Sequence, residues 1–541
     1  MKRVKKIVIT SIILIAVFYL VNHVGAINYY VDVNNGNDNW DGLSPEWDTN
    51  SGPKQHPESF NSILKAGDIL YFREGTYDAK KPTGNFRWPT FRPINSGTEK
   101  NPIIYKNYNG EKVIIEGYTN TGNFAIGSYG SSWVIIDGFT IHGGIYMGYE
   151  GTSIEHCKIQ NCDIYEGYDI GDGNSGCIML INVKYLTAKN CILRDNTNKC
   201  GWQSFDTTNC IIENCEVYNC TWGIYFKDNS VDDIVRNNII YDCTKAITVP
   251  VQDPPNNGPT CYQNIIYNSE NGIVVPCDVT NSIVIYNNTL YGVLRGIFVG
   301  VNGNHLDDLQ MYNNIIVGIS KTESKPVIFG DGINISSGIS YCDYNYYYNV
   351  FRWILYPDWY DSFSTWKSGT GFDIHGNEAD PGFVNANAYD FHLDNNSSCL
   401  GTGKDGINIG CYITGDEIIG LIPGGTKKTL PQPTKLTIIN PVSNFAANAS
   451  GDGKVTLSWL NPTGAKFVGT VVQCRTDGTY PTDFNDGSKV CNIIGNSGSN
   501  VSFDHTGLQA GTTYYYSAFT YFTNGGGYLY SGSRNVSITL P

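Results

Sequence analysis

The sequence predicts an all-β protein, a right-handed parallel β-helix followed by a small β-sandwich. Two observations predict the helix. One short segment recurs down the middle of the 541-residue chain: KIQNC (158–162), CILRDN (191–196), CEVYNC (215–220), NIIYDC (238–243), NIIYNS (264–269), NTLYGV (288–293) and NIIVGI (314–319). Its anchors, Cys157, Cys191, Cys215, Asn238, Asn264, Asn288 and Asn314, fall mostly 23–26 residues apart, with one wider gap of 34. A fixed period in this range marks a solenoid. Within each unit apolar residues alternate with period two, the pattern of a strand. Strands that return to one position once per turn run parallel. A third observation, a change of composition after Tyr412, marks a linker and so a second domain beyond it.

The first 26 residues read as an export signal. Lys2, Arg3, Lys5 and Lys6 precede an apolar run from Ile7 to Val21, and Val24-Gly25-Ala26 offers a small-residue cleavage site. The apolar run is short for a membrane span, so the expectation is cleavage after Ala26, no membrane insertion afterwards, and a secreted or cell-surface protein. Losing those four positive charges takes the formal net charge from −14 to −18. So acidic a chain is a poor partner for nucleic acid. It also repels an acidic polysaccharide unless a local basic groove or a bound cation intervenes.

The anchor column has a physical cause. Asn in a coil turn hydrogen-bonds its equivalents one coil above and below, about 4.8 Å away, and so pairs polar groups that are otherwise buried and unsatisfied. Cys in the same column is a small buried hydrophobe. Cys162, Asn196, Cys220, Cys243 and Ser269 read as a second stack five residues further on. Sixteen Cys in an exported chain would ordinarily suggest disulfides, but stacked Cys read more simply as free packing thiols, and no C-x-x-C pair occurs.

The solenoid begins with YYVDVNNGNDNWDGLSP (29–45), LKAGDILYFREGTY (64–77) and NPIIYKNYNGEKVIIEG (101–117), and ends with FSTWKSGTGFDIHGNEADPGFVN (363–385) and DFHLDNNSSCLGTGKDGINIGCY (390–412). These segments resemble secreted right-handed β-helix proteins of the pectate-lyase-like superfamily. The β-helix domain is placed at 27–415 and a Pro/Gly/Thr-rich linker at 416–434. Residues 435–541 resemble a fibronectin type III domain, with Trp459 as the buried strand-B tryptophan and Tyr514 making the corner whose hydroxyl bonds back to the backbone. Cys474 and Cys491 would lie on neighbouring strands.

The superfamily resemblance implies a lyase that cleaves a uronate-containing polysaccharide by β-elimination, in which a basic residue removes the proton α to the carboxylate. It also implies calcium, a hard cation that takes oxygen ligands and stabilises the developing charge. The acidic insertion NCDIYEGYDIGDGNSGC (161–177) supplies Asp163, Asp169 and Asp172, and these with Asp206 form the candidate metal site; the alternative is a solvated loop of good turn formers. Lys227 is the candidate base. Coil alignment stacks Ile181, Phe205, Lys227, Pro250 and Pro276, and because Ile224 and Phe226 alternate inward, Lys227 points outward; the alternative is an ordinary surface lysine. Trp353, Trp359 and Tyr360, within the aromatic excursion 341–366, are candidates for stacking on sugar rings, or else belong to a cap over the open solenoid end. The motif sets of polygalacturonase-type hydrolases are absent. Two other readings stay open: a non-catalytic carbohydrate-binding rod, and a glycoside hydrolase with two facing carboxylates. The chain reads as a monomer.

Overall fold

The computed structural model describes residues 25–49, 51–78, 89–117, 124–149, 151–167, 175–227, 229–249, 258–276, 279–300, 306–330, 338–422, 441–450, 453–463, 467–481, 484, 486–524, 527–531 and 533–541. The signal reading therefore falls outside them, and so do Asp169, Asp172 and most of the linker. Among the described residues no helix is long and apolar enough to cross a membrane.

Residues up to Ile422 wind into a right-handed parallel β-helix with three faces. The first is a 12-stranded parallel ladder from Asn28–Val31 to Ile339–Asp343. The second runs through Val113–Glu116, Thr140–His142, Asp163–Tyr165 and Ile239–Tyr241 to Asn377–Glu378, and the third through Ile145–Gly148, Gly176–Ile181 and Lys245–Thr248 to Trp353–Leu355. Two long strands, Ile192–Phe205 and Glu216–Phe226, turn the corner between second and third faces without a break. Alternate residues point inward, so one continuous apolar core runs from Tyr29 to Trp366.

The corner before each second-face strand is made by a two-residue unit. Its first residue is left-handed: Asn161, Asn190, Asn214, Asn237, Gln263, Asn287, Asn313 and Tyr344 all have φ between 51° and 60°. Asn tolerates that conformation better than most residues. Its second residue is buried and stacks. Asn238 Nδ2 donates to Asn264 Oδ1 at 3.0 Å, Asn264 to Asn288 at 3.0 Å, Asn288 to Asn314 at 3.0 Å, and Asn314 to Asn345 at 2.9 Å. The expected asparagine column is present and extends one coil further. It ends on the buried Asp373, whose Oδ1 accepts from Asn345 Nδ2 at 2.9 Å and whose Oδ2 accepts from Tyr347 and Trp366.

The structure corrects the start of the column. Cys162, not Cys157, lies beneath Cys191, because Asp163 pairs with Ile192. Cys157 belongs to a different corner, beneath Leu186 and then Cys210. The second stack, Asn196–Cys220–Cys243–Ser269, is as expected except that Cys162 is not part of it. Every described cysteine is buried and free. Cys491 stands opposite Val472 and not opposite Cys474.

The aromatic excursion closes the solenoid. A short helix, α1 (Phe363–Thr370), is capped by Ser362 at its start and by left-handed Gly371 at its end, and it inserts Phe363 and Trp366 into the core. Trp353 packs with them at 1% exposure.

The chain then doubles back. Residues 380–422 form a strap over the second face, and the corner asparagines hold it: Asn287 Nδ2 donates to Gly410 O at 3.0 Å, Asn214 Nδ2 to Ile418 O at 2.8 Å, and Asn190 Oδ1 accepts from Ile422 N at 2.8 Å. Phe391 and Cys411 bury Tyr241, Ile265 and Tyr267 beneath it. Residues 416–422, placed in the linker by composition, thus belong to the solenoid.

The second unit, described from residue 441 on, has two antiparallel sheets. Ser443–Ser450, Lys454–Leu460 and Asn500–Thr506 form one; Ser488–Ile494, Phe467–Arg475, Thr513–Asn524, Gly527–Tyr530 and Arg534–Thr539 form the other. Trp459 is buried between them, and the Tyr514 hydroxyl accepts from the Gln509 backbone N–H at 2.8 Å.

Candidate functional site

Third-face strands around residues 200–248 place cations beside aromatic rings. Trp202, Ile224 and Ile247 point into the core. The register places Cys200, Trp222 and Lys245 in one column and Gln203, Tyr225 and Thr248 in the next. Phe205 stands over Ile181, and Lys227 follows it one coil on, its backbone N–H donating to Ser204 O at 2.8 Å. The expected alignment of Ile181, Phe205 and Lys227 is therefore present.

Phe205, Trp222, Tyr225, Lys227 and Lys245 are all half-exposed. The Lys227 ammonium sits 4.7 Å from the Phe205 ring centroid, and that of Lys245 lies 5.8 Å from Trp222. The Trp222 and Tyr225 rings stack at 6.1 Å. Cation–π contact places each charge over a ring. Gln203, between the two lysine columns, accepts from Ser175 N–H at 2.6 Å.

The expected metal site does not assemble from its described members. Asp163 lies on the second face, where Arg194 grips both its oxygens, at 2.7 and 3.1 Å. A bidentate guanidinium occupies the lone pairs a cation would need. Burial disfavours the Arg194 charge, but the bonds and charge of Asp163 outweigh it and hold that guanidinium above its ordinary value. Asp206 lies at the far end of the third face, left-handed and exposed, accepting from Asn229 Nδ2 at 2.9 Å. A third-face strand of six residues, about 20 Å, separates the two carboxylates. Among the described residues no group of three or more His, Cys, Asp and Glu could hold a metal ion. Of the four expected ligands, the two described ones, Asp163 and Asp206, do not share a site.

The expected aromatic platform also divides. Trp353 is core and unavailable to a sugar. Trp359, at 64% exposure, sits on the strand Asp358–Tyr360 with Arg352 over its ring at 5.6 Å. Tyr360 is half-buried and packs against Trp366.

A second polar cluster was missed by sequence reasoning. On the second face His142 Nδ1 lies 2.7 Å from Glu116 Oε2, and its Nε2 lies 2.8 Å from Glu166 Oε2. The ring stacks on Tyr165 at 4.8 Å, and Arg194 covers the other residue of that pair at 4.5 Å. The signal was present: these charges are 26 and 24 residues apart, one coil each, and applying the repeat period to charged residues finds them. The imidazole bridges the two carboxylates, one from each neighbouring coil.

Residues 103–254 match the model of the family described as right handed beta helix region. No curated protein matches the sequence. Among solved structures, the pectate lyase Pel9A is similar at 13% identity and TM-score 0.50, over 72% of this chain and 97% of its own. An alginate lyase from Paenibacillus sp. str. FPU-7 is similar at 16% identity and TM-score 0.38, over 48% of this chain and 91% of its own. XylC in complex with xylose is similar at 12% identity and TM-score 0.42, over 88% of this chain and 100% of its own. At these identities the likeness to Pel9A is one of fold.

Proposed function

We propose that this protein is an exported enzyme acting on polysaccharide, a lyase of uronate-containing chains, with the third face as its groove and Lys227 as the base. The observation that carries the proposal is the outward row of Phe205, Lys227, Trp222, Tyr225 and Lys245 on one open stretch of parallel strands. Flat ring faces suit the apolar faces of pyranose rings. Two ammonium groups suit carboxylates, in a chain whose net charge is −14 and whose general field opposes an anionic polymer. The fold likeness to a pectate lyase agrees with the reading, although fold alone does not decide function.

In this mechanism Lys227 is the base that takes the proton α to the carboxylate, and Lys245, in the Trp222 column of the same face, binds the carboxylate of a neighbouring sugar. The electron pair left at carbon forms a double bond, and the glycosidic oxygen on the adjacent carbon leaves. The experiment is absorbance at the unsaturated-uronate wavelength during incubation with a panel of uronic-acid polymers, with and without calcium. Absorbance should rise, and Lys227→Ala should abolish the rise while moving the melting temperature little, since a half-exposed lysine contributes little to packing. Full lyase activity in Lys227→Ala would remove the mechanism.

A non-catalytic binding rod is the second reading, favoured by carboxylates that do not converge beside Lys227. It expects retention of uronate polymers with no absorbance and no new reducing ends.

A further inference from the structure

At the beginning of the solenoid, residues 34–56 form a loop between the first strand and the first full coil. Its described residues are fastened at several points. The buried ammonium of Lys54 donates to the Asp38 carbonyl at 2.7 Å and to the Trp40 carbonyl at 2.5 Å. Asp41 Oδ1 accepts from Leu43 N–H at 3.0 Å and from the Ser51 hydroxyl at 2.9 Å. Asp38 holds the His56 ring at 2.7 Å and its backbone N–H at 2.9 Å. Gly42 donates to Gly52 O and accepts from Tyr30 N–H, tying the loop to the first strand. Arg73 donates to the Pro45 carbonyl.

On this fixed loop two large apolar side chains stay in solvent: Trp47 is 60% exposed and Leu43 50%. Trp40, half-buried, lies 6.1 Å from Trp47 at an interplanar angle of 41°. One face of Trp40 rests on Gly52, where an added Cβ would come within 2.5 Å of the ring. Glycine there lets the indole lie flat on the backbone. An exposed tryptophan on a slack loop would signify little. One presented by a loop this heavily bonded is preorganised, so that little ordering entropy is lost when something docks on it.

The surroundings select the occupant. Asp41, Glu46 and Asp48 are exposed next to these rings, and carboxylates are acceptors only. They receive hydrogen bonds from hydroxyl groups and repel anionic polymers. We propose that Trp47 and Trp40 form a binding platform for a neutral pyranose ring of a polysaccharide, separate from the third face and selective against uronates. The two surfaces would let the protein anchor on a neutral glycan while an acidic one occupies the groove.

The test uses the full chain in affinity electrophoresis through gels containing a mixed-linkage β-glucan, a xylan or a galactomannan, with polygalacturonate as the anionic comparison. At least one neutral polymer should retard the protein. Trp47→Ala should weaken that retention by about tenfold or more, the scale of losing one buried aromatic contact, and Trp47→Phe should restore part of it. Lys227→Ala should leave it unchanged, which separates failure of this platform from failure of the lyase reading. No retention by any neutral polymer, or equal retention of Trp47→Ala, would overturn the proposal. So would a Trp47-dependent dimer in sedimentation, which would make the patch a contact between two copies.

Discussion

Glu216 carries an ionisable group into a place that water does not reach. It is 4% exposed, between Ile192 and Ile239 of the adjacent coils, and its Oε2 has no hydrogen-bond partner among the described residues. Desolvation raises its pKa from 4.5 to about 7. The sign follows from linkage. Below pH 4.5 the group is protonated whether the chain is folded or not, and burial costs no charge. As pH rises toward 7 the unfolded chain releases its proton first, so the native state loses stability, by up to about 3 kcal/mol above pH 7. Glu216→Gln should therefore melt higher than the wild type at pH 8 and close to it at pH 4.5, the gap opening between. Asp233, also buried and pushed up to about 7 by desolvation, bends both curves alike and cancels in the difference. A gap that does not change with pH would show that Glu216 ionises freely in the native state.

At the scale of the element, the corner unit of a left-handed residue and a stacked one explains most of what the sequence allowed. Strand period and coil period were both visible, and so was the stacking of Asn238, Asn264, Asn288 and Asn314. Asn264→Leu should cost about 3 kcal/mol or more: it strips the acceptor from the Asn238 backbone N–H and from one Asn238 Nδ2 hydrogen and a donor from Val235 O, and each buried orphan costs about 1–3 kcal/mol. Asn264→Cys should be milder, because Cys215 fills the same column and its Sγ accepts from Cys191 N–H at 3.4 Å. Equal destabilisation in chemical denaturation would mean that volume, and not hydrogen bonding, holds the column. The corner identity of Cys157 was not legible, since each coil has several corners and Cys occupies more than one. The strap was illegible for another reason. Its bonds join residues 204 and 232 positions apart, and residues 380–422 have no period of their own. Coil spacing put Asp163 near Asp206, but the two stand on different faces of the solenoid, which coil counting alone does not distinguish.

For the whole molecule, the question is whether the two units stabilise themselves. The solenoid core and the sandwich core share no residue. The solenoid is closed at one end by Trp353, Phe363 and Trp366 and ends its polar column on Asp373, so its hydrogen-bonding ladder finishes within the unit. The sandwich has its own buried Trp459, Tyr516 and Val472. Each unit has an apolar core of its own, the usual basis for folding alone. Cleavage within residues 423–440 should then release a C-terminal fragment of about a hundred residues that keeps its β-sheet circular dichroism. Calorimetry of the intact chain should show two transitions. Trp459→Ala should lower only the sandwich transition, by about 3–5 kcal/mol for a large buried side chain, and Asn264→Leu only that of the solenoid. A single transition shifted by both substitutions, or loss of structure in either fragment after the cut, would show that the cores depend on one another.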